Sequence, residues 1–230
     1  MTSSAVLVAP AHGTPVRPRG TVWPYAGIIS ALASGAAGMA LSQGPGTFRT
    51  EGGQPDTAFI LANLAPELSV KIGAGLHLLG VAAAFAFLFG LTRFVGKHAP
   101  RFAEPLRWAS IAFVAAGALG AAMRYIAAGG IPGAMDSAMY TPEASATIAV
   151  LADQFASAAY LPVLAVMAVV GLAAVRDRVL PVAVGAVTLL LTTVSLAATL
   201  VLGLPYSSSL VYPLFALMVG VAGLLSRRTA

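Results

Sequence analysis

Apolar residues along the chain gather into six runs of membrane-spanning length, separated by shorter polar segments. The runs cover residues 22–41, 71–94, 108–128, 146–175, 179–204 and 210–225. An α-helix needs about 20 residues to cross a hydrocarbon core roughly 30 Å thick. The ten-residue alternation typical of an outer-membrane barrel is missing from the sequence. The pattern therefore predicts an all-α polytopic membrane protein, a bundle of six transmembrane helices.

The segments outside the spans divide the chain further. Residues 1–20 are rich in Pro, Gly and small residues and predict a disordered cytoplasmic tail. Residues 21–226 form the predicted transmembrane domain, with Trp23 and Tyr25 at the interfacial edge of the first span, and 227–230 form a second cytoplasmic tail. A cleaved signal peptide is the alternative for the start of the chain. The first apolar run exceeds the usual length of about 7 to 15 residues, and no convincing small-residue cleavage site closes it.

Composition narrows the class of protein. Hydrophobic residues make up 58% of the 230 positions, charged residues 9%, and mean hydropathy is +0.87, which is far from the soluble average. The absence of cysteine excludes disulfides, thiolate nucleophiles and Cys-ligated metals. The net charge of +5 comes without any nucleic-acid-binding motif, so we expect no nucleic-acid partner.

The distribution of basic residues predicts the orientation. Thirteen residues are Lys or Arg. Three fall on or near one side of the six-span layout, namely Arg49, Lys71 and Arg124. The others fall on the side of the termini: Arg17, Arg19, Arg93, Lys97, Arg101, Arg107, Arg176, Arg178, Arg227 and Arg228. Because cytoplasmic loops carry the excess of Lys and Arg, both termini are predicted to be cytoplasmic and the chain to lie in the cytoplasmic membrane.

Small residues indicate where helices could approach closely. Ala31, Gly35 and Gly38 recur at helical spacing in the first span, and Gly117 and Gly120 in the third. Such stripes allow close contact between transmembrane helices.

Two opposite charges in neighbouring spans predict an intramembrane ion pair. Arg124 shares a helical face with Gly117 and Gly120, while Asp153, followed by Gln154, lies in the next, antiparallel span. Their depths of roughly 6 and 10 Å are within reach of an arginine side chain. A structural bridge that sets helix register and a contact to a ligand or ion are both compatible with this pair.

His77 lies roughly 9 Å below the start of the second span, in the same depth layer as the predicted pair. It shares a face with Gly73, Ala74, Gly80 and Ala84, so it is expected to point inward. A hydrogen-bonded core histidine is the ordinary interpretation, and a proton carrier or ligand the alternative. Glu67 and Lys71, at the start of the same span, are expected to mark the membrane interface.

Hydroxyl side chains at Thr188, Thr192, Ser195 and Thr199 follow one face of the fifth span. Such hydroxyls usually bond to the preceding helical turn or to a neighbouring helix, which is a packing role. The alternative is a polar lining that continues from the layer of His77.

Sequence motifs of common catalytic sites are missing. The spans contain no GxSxG elbow, no HExxH and no P-loop, so we expect no catalytic residues, no metal and no cofactor, and an enzyme is the less favoured class. The passage LHLLGVAAAFAFLFGLTRFVGKHAPRF, with the six-span layout, resembles small multi-span bacterial membrane proteins of unknown function from actinobacteria. That resemblance implies no activity.

The sequence thus predicts a membrane-embedded binding or accessory protein with a polar pocket in its outer half. A small permease or proton-coupled transporter is the alternative. Apart from the lipid bilayer, the partner, a small molecule or a protein, is unknown.

Overall fold

A computed structural model of the chain describes residues 22–41, 67–127, 141, 143–144, 147, 151, 159–202 and 207–226. The tails predicted for residues 1–20 and 227–230 lie outside these residues. The helices with described bounds are α1 (Trp23–Leu41), α2 (Glu67–His98), α3 (Ala103–Ala127), α4 (Tyr160–Asp177), α5 (Val182–Leu202) and α6 (Ser207–Leu225). A single turn of 3-10 helix, Pro100–Phe102, joins α2 to α3. The predicted all-α class is confirmed for this part of the chain.

Three stretches of the described chain are long and apolar enough to cross a membrane: Lys71–His98, Pro100–Met123 and Val182–Val201. Leu210–Leu225 is a shorter apolar stretch. Large apolar side chains also cover the outside of the helices, as at Leu200, 76% exposed, and Val201, 80% exposed. Apolar surface on this scale suits lipid better than water. The chain is therefore a membrane protein.

The helices pack in a closed ring in chain order. Each helix contacts the next one, and α6 closes the ring by packing on α1. Additional contacts join α4 to α6 and α2 to α4 across the middle. Neighbours run antiparallel, so the start of α1 lies beside the ends of α2 and α6. We call this the basic end of the bundle, for the charges described below.

Trp23 fills the junction of α1, α2 and α6 at the basic end. Its side chain is 5% exposed and touches the backbone of glycines on both neighbouring helices. A Cβ atom added to Gly90 would lie 2.3 Å from the Trp23 Cβ, and one added to Gly223 would lie 2.5 Å from its indole ring. Two glycines therefore open a slot for the ring inside the bundle, and the interfacial depth of Trp23 stays a prediction. Tyr25 is 54% exposed.

The predicted small-residue stripe on α1 is only partly used. Ala31 is buried, but added Cβ atoms at Gly35 and Gly38 would meet nothing within 4 Å. The close approaches occur at other glycines, because helical spacing identifies a face without identifying the neighbour that covers it. On α3 the predicted small-residue face is packed inside the bundle. Gly120 is buried, and Gly117 lies against Val81 of α2.

The link between α4 and α5 lies further along the chain than predicted. Arg176 and Asp177 belong to the last turn of α4, and residues 178–181 make the link. Arg178 ends α4 in the left-handed conformation, with φ 54° and ψ 32°. The Pro181 carbonyl then accepts the backbone N–H groups of Val184 and Gly185, which starts α5.

Candidate functional site

A buried group of hydroxyls joins α1, α2 and α6. The Ser30 side chain is fully buried, and its Oγ donates to the Gly80 carbonyl oxygen at 2.9 Å. The Tyr212 hydroxyl lies 2.7 Å from the same Oγ. A serine hydroxyl has one proton, which goes to Gly80, so the Tyr212 hydroxyl donates to Ser30. The sequence offered a signal for this group, since Ser30 is a polar residue within an apolar run, but it did not indicate a partner.

Aromatic rings hold Tyr212 in place. Its ring centroid lies 4.7 Å from that of Phe113 on α3 and 6.4 Å from that of Phe215 on α6. Pro213 follows within the same helix and cannot donate to the carbonyl four residues earlier. The hydroxyl group therefore sits where four helices meet, beside a proline that weakens the hydrogen bonding of α6 locally.

His77 lies on the buried small-residue face of α2, one turn beyond Gly80 toward the opposite end. Gly73 and Ala74 on this face are buried, and His77 itself is half-buried. Gly80 lies against Ser34, with an added Cβ 2.7 Å from the serine Oγ. Continuing the same antiparallel register places His77 level with Ala37 of α1.

The remaining members of the predicted polar layer cannot be placed by their side chains. The backbone of Arg124 lies in α3, but its side chain, Asp153 and Gln154 are outside the described residues. On the predicted face of Arg124, Gly117 lies against Val81 of α2. The Arg124–Asp153 ion pair stays a prediction.

The hydroxyl face of α5 is turned partly into the bundle. Thr188 is fully buried and Ser195 is 2% exposed. The side chains of Thr188, Thr192 and Thr199 donate to the carbonyl oxygens of Val184, Thr188 and Ser195, at 2.7, 2.8 and 3.0 Å. Because each threonine bonds to its own preceding turn, this geometry favours the packing role over a polar lining.

Basic side chains gather at the end of the bundle where α1 starts. The exposed Lys and Arg side chains described here are Arg93, Lys97, Arg101, Arg107, Arg176 and Arg178. Arg101 makes a two-pronged ion pair with Asp177, its Nε lying 3.2 Å from Oδ2 and its Nη2 bonding Oδ1. The pair ties the α2–α3 connection to the end of α4. At the opposite end, the described Lys71 is exposed.

Large and small buried side chains occupy different ends of the bundle. The largest fully buried side chains all lie within about 21 Å of the helix termini at the basic end. They are Phe87, Leu88, Leu91, Val95, Leu106, Val163, Val166, Met167, Val170, Thr188, Phe215 and Val219. Beyond that depth, the buried residues in the described ranges are Gly or Ala: Gly73, Ala74, Gly80, Gly120, Ala121 and Ala159.

The described residues contain no group of three His, Asp or Glu side chains that could hold a metal ion. Comparisons with protein families, with characterised proteins and with solved structures found no match to this chain. The resemblance to small bacterial membrane proteins stays an expectation from the sequence.

Proposed function

We propose that the chain is a six-span protein of the cytoplasmic membrane with both termini in the cytoplasm. In this proposal it is a membrane-embedded binding or accessory protein, with a polar pocket in the outer half of the bundle. The pocket is formed by His77, Arg124, Asp153 and Gln154. Its ligand is a small molecule or a protein segment of unknown identity.

The separation of large and small buried side chains is the observation that carries the proposal. The half of the bundle at the basic end, which becomes the cytoplasmic half, is filled by large apolar side chains such as Phe87, Met167 and Phe215. Among the described residues, those buried in the other half are Gly and Ala, which have little or no side chain. Because large apolar side chains fill the inner half, a pocket fits better at the other end, where the predicted polar residues lie.

The runner-up is a small permease or proton-coupled transporter. The burial of Thr188 and Ser195 on α5 is the observation on its side, but Thr188 already donates to the Val184 carbonyl, as a packing role requires. A transporter also needs a route through the inner half, where Val166, Met167 and Phe215 are fully buried. The accessory role needs no such route and is preferred.

Single cysteines can test the pocket directly, because the chain has none of its own. His77→Cys and Leu78→Cys lie at nearly the same depth, but His77 is on the buried face and Leu78 is 42% exposed on the outside. The cysteine thiolate, which forms in water and not in lipid, attacks a membrane-impermeant thiol reagent. The pocket predicts that His77→Cys reacts from the outer side and Leu78→Cys does not.

Equal reactivity of these two variants would contradict the pocket. Val170→Cys serves as the test of the runner-up, since Val170 is 1% exposed within the inner half. The accessory role predicts no reaction of Val170→Cys from either side. Reaction from either side would favour the transporter.

A further inference from the structure

One outer face of α2 carries a strip of two aromatic and two basic side chains. Phe85, Phe89, Arg93 and Lys97 recur every fourth residue and so lie above one another on the helix. The two phenylalanines are 59% and 55% exposed, and both basic side chains are also exposed. We call these four residues the α2 strip.

The α2 strip points away from the core. Leu91 and Val95, which are fully buried, lie two residues from Arg93 in either direction, on the far side of the helix. In a chain that spans a membrane, the surface opposite the core meets lipid. In a bilayer the strip is therefore placed to contact lipid.

The rings and the arginine of the strip are already arranged against one another. The Phe85 and Phe89 rings stack with centroids 6.0 Å apart and planes 18° from parallel. The Arg93 guanidinium carbon lies 5.0 Å from the Phe89 ring centroid, which is a cation–π contact. Its N–H groups keep the fork geometry that suits a phosphate.

The basic side chains at this end of the bundle favour the binding of an anion. Asp177 forms an ion pair with Arg101, and Glu104 is the other acidic side chain described at the basic end. Within the described ranges, neither Arg93 nor Lys97 forms an ion pair with a carboxylate. Two cations one helical turn apart, directly above an aromatic surface, therefore complement a phosphate that is attached to an acyl chain.

The length of the strip matches one leaflet. Twelve residues separate Phe85 from Lys97, which is about 18 Å along the helix. Half of the hydrocarbon core is about 15 Å thick. We infer that the α2 strip binds an anionic glycerophospholipid, whose phosphate lies between Arg93 and Lys97 and whose acyl chain lies along Phe89 and Phe85. This site is separate from the proposed outer pocket and requires only that α2 lies in a membrane.

The test compares two lipids on the full chain in bilayers. A fluorophore on Ala82→Cys, an exposed position one turn from Phe85, reports the local lipid. The quenchers are phosphatidylglycerol and phosphatidylcholine that carry the same acyl-chain nitroxide. We expect phosphatidylglycerol to be preferred by about tenfold, because each basic residue near the headgroups attracts anionic lipid. Millimolar inorganic phosphate should not displace it, since the acyl chain supplies part of the binding.

Substitution separates this site from the general positive charge of the basic end. Arg93→Gln with Lys97→Gln should abolish the preference, and each single substitution should lower it by about threefold. The matched control, Arg176→Gln with Arg178→Gln, removes the same charge from exposed positions at the same end and should keep the preference. Equal loss in the control, retention in both single variants, or displacement by phosphate would overturn the inference.

Discussion

At the scale of single residues, the space beside each backbone atom decides which positions tolerate change. Trp23 occupies its slot because Gly90 and Gly223 have no side chain. Arg178 shows the converse, since a residue with a Cβ atom holds the left-handed conformation at the end of α4. Both are local facts with consequences for the stability of the whole bundle.

Gly90→Ala should lower the free energy of unfolding by about 1 to 3 kcal/mol, because the new methyl group overlaps Trp23 and must displace it. Gly35→Ala is the matched control, since its Cβ meets nothing within 4 Å, and it should be neutral or slightly stabilising. Thermal unfolding of the purified proteins in detergent measures both. Equal effects of the two substitutions would contradict the packing of Trp23 against Gly90.

Arg178→Gly should raise the free energy of unfolding by about 1 kcal/mol, because glycine adopts the left-handed conformation without the steric cost of a Cβ atom. Arg176→Gly removes the same charge inside the last turn of α4 and should lower stability by about 1 kcal/mol. The same unfolding measurement applies. A stability loss in Arg178→Gly would show that its side chain outweighs its backbone strain.

At the scale of helices, hydrogen bonds and ring contacts determine which helices stay together. Lipid gives little hydrophobic driving force between helices, so their association depends mainly on close packing and interhelical hydrogen bonds. The Ser30 hydroxyl links α1 to both α2 and α6. It therefore helps to close the ring at the contact between the first and last described helices.

Ser30→Ala should lower the free energy of unfolding by about 1 to 3 kcal/mol, because it leaves the buried Tyr212 hydroxyl without its acceptor. Tyr212→Phe keeps the hydrogen bond from Ser30 to Gly80 and should lower the free energy of unfolding by about 0.5 to 1.5 kcal/mol. The double variant should be no less stable than Ser30→Ala alone. Additive losses in this double-mutant cycle would mean that the two hydroxyls act independently.

At the scale of the whole molecule, the ring brings distant basic residues to one end. Arg101 and Asp177 are 76 positions apart in the chain, yet they join the α2–α3 connection to the end of α4. This common surface supports the proposed cytoplasmic location of the loops. An ion pair as exposed as this one stabilises by no more than about 1 kcal/mol, so its main effect is to align the α2–α3 connection with the end of α4.

The proposed orientation can be tested with exposed single-cysteine positions. Lys97→Cys and Ser226→Cys should react with an impermeant thiol reagent only from the cytoplasmic side. Thr141→Cys should react only from the outside. Labelling intact cells before and after permeabilisation measures this. Labelling of Lys97→Cys and Thr141→Cys from the same side would contradict the span count.

The sequence by itself determined the helical class, the approximate position of each described helix and the uneven charge of the loops. These follow from local properties, because a helix in lipid satisfies its backbone within itself and its hydropathy can be summed along the chain. The inward face of α2 around His77 was also predictable from helical periodicity. Ser30 was recognisable as a polar residue within an apolar run, but the sequence did not show that it pairs with Tyr212.

Only the tertiary structure decided which helix covers each face. It placed Trp23 in the core, joined Ser30 to Tyr212, 182 positions away, and paired Arg101 with Asp177. It also separated the large buried side chains from the small ones along the bundle. The physical reason is that periodicity specifies a direction around one helix, whereas a contact requires the position of two, which depends on how closely every other pair in the ring can pack.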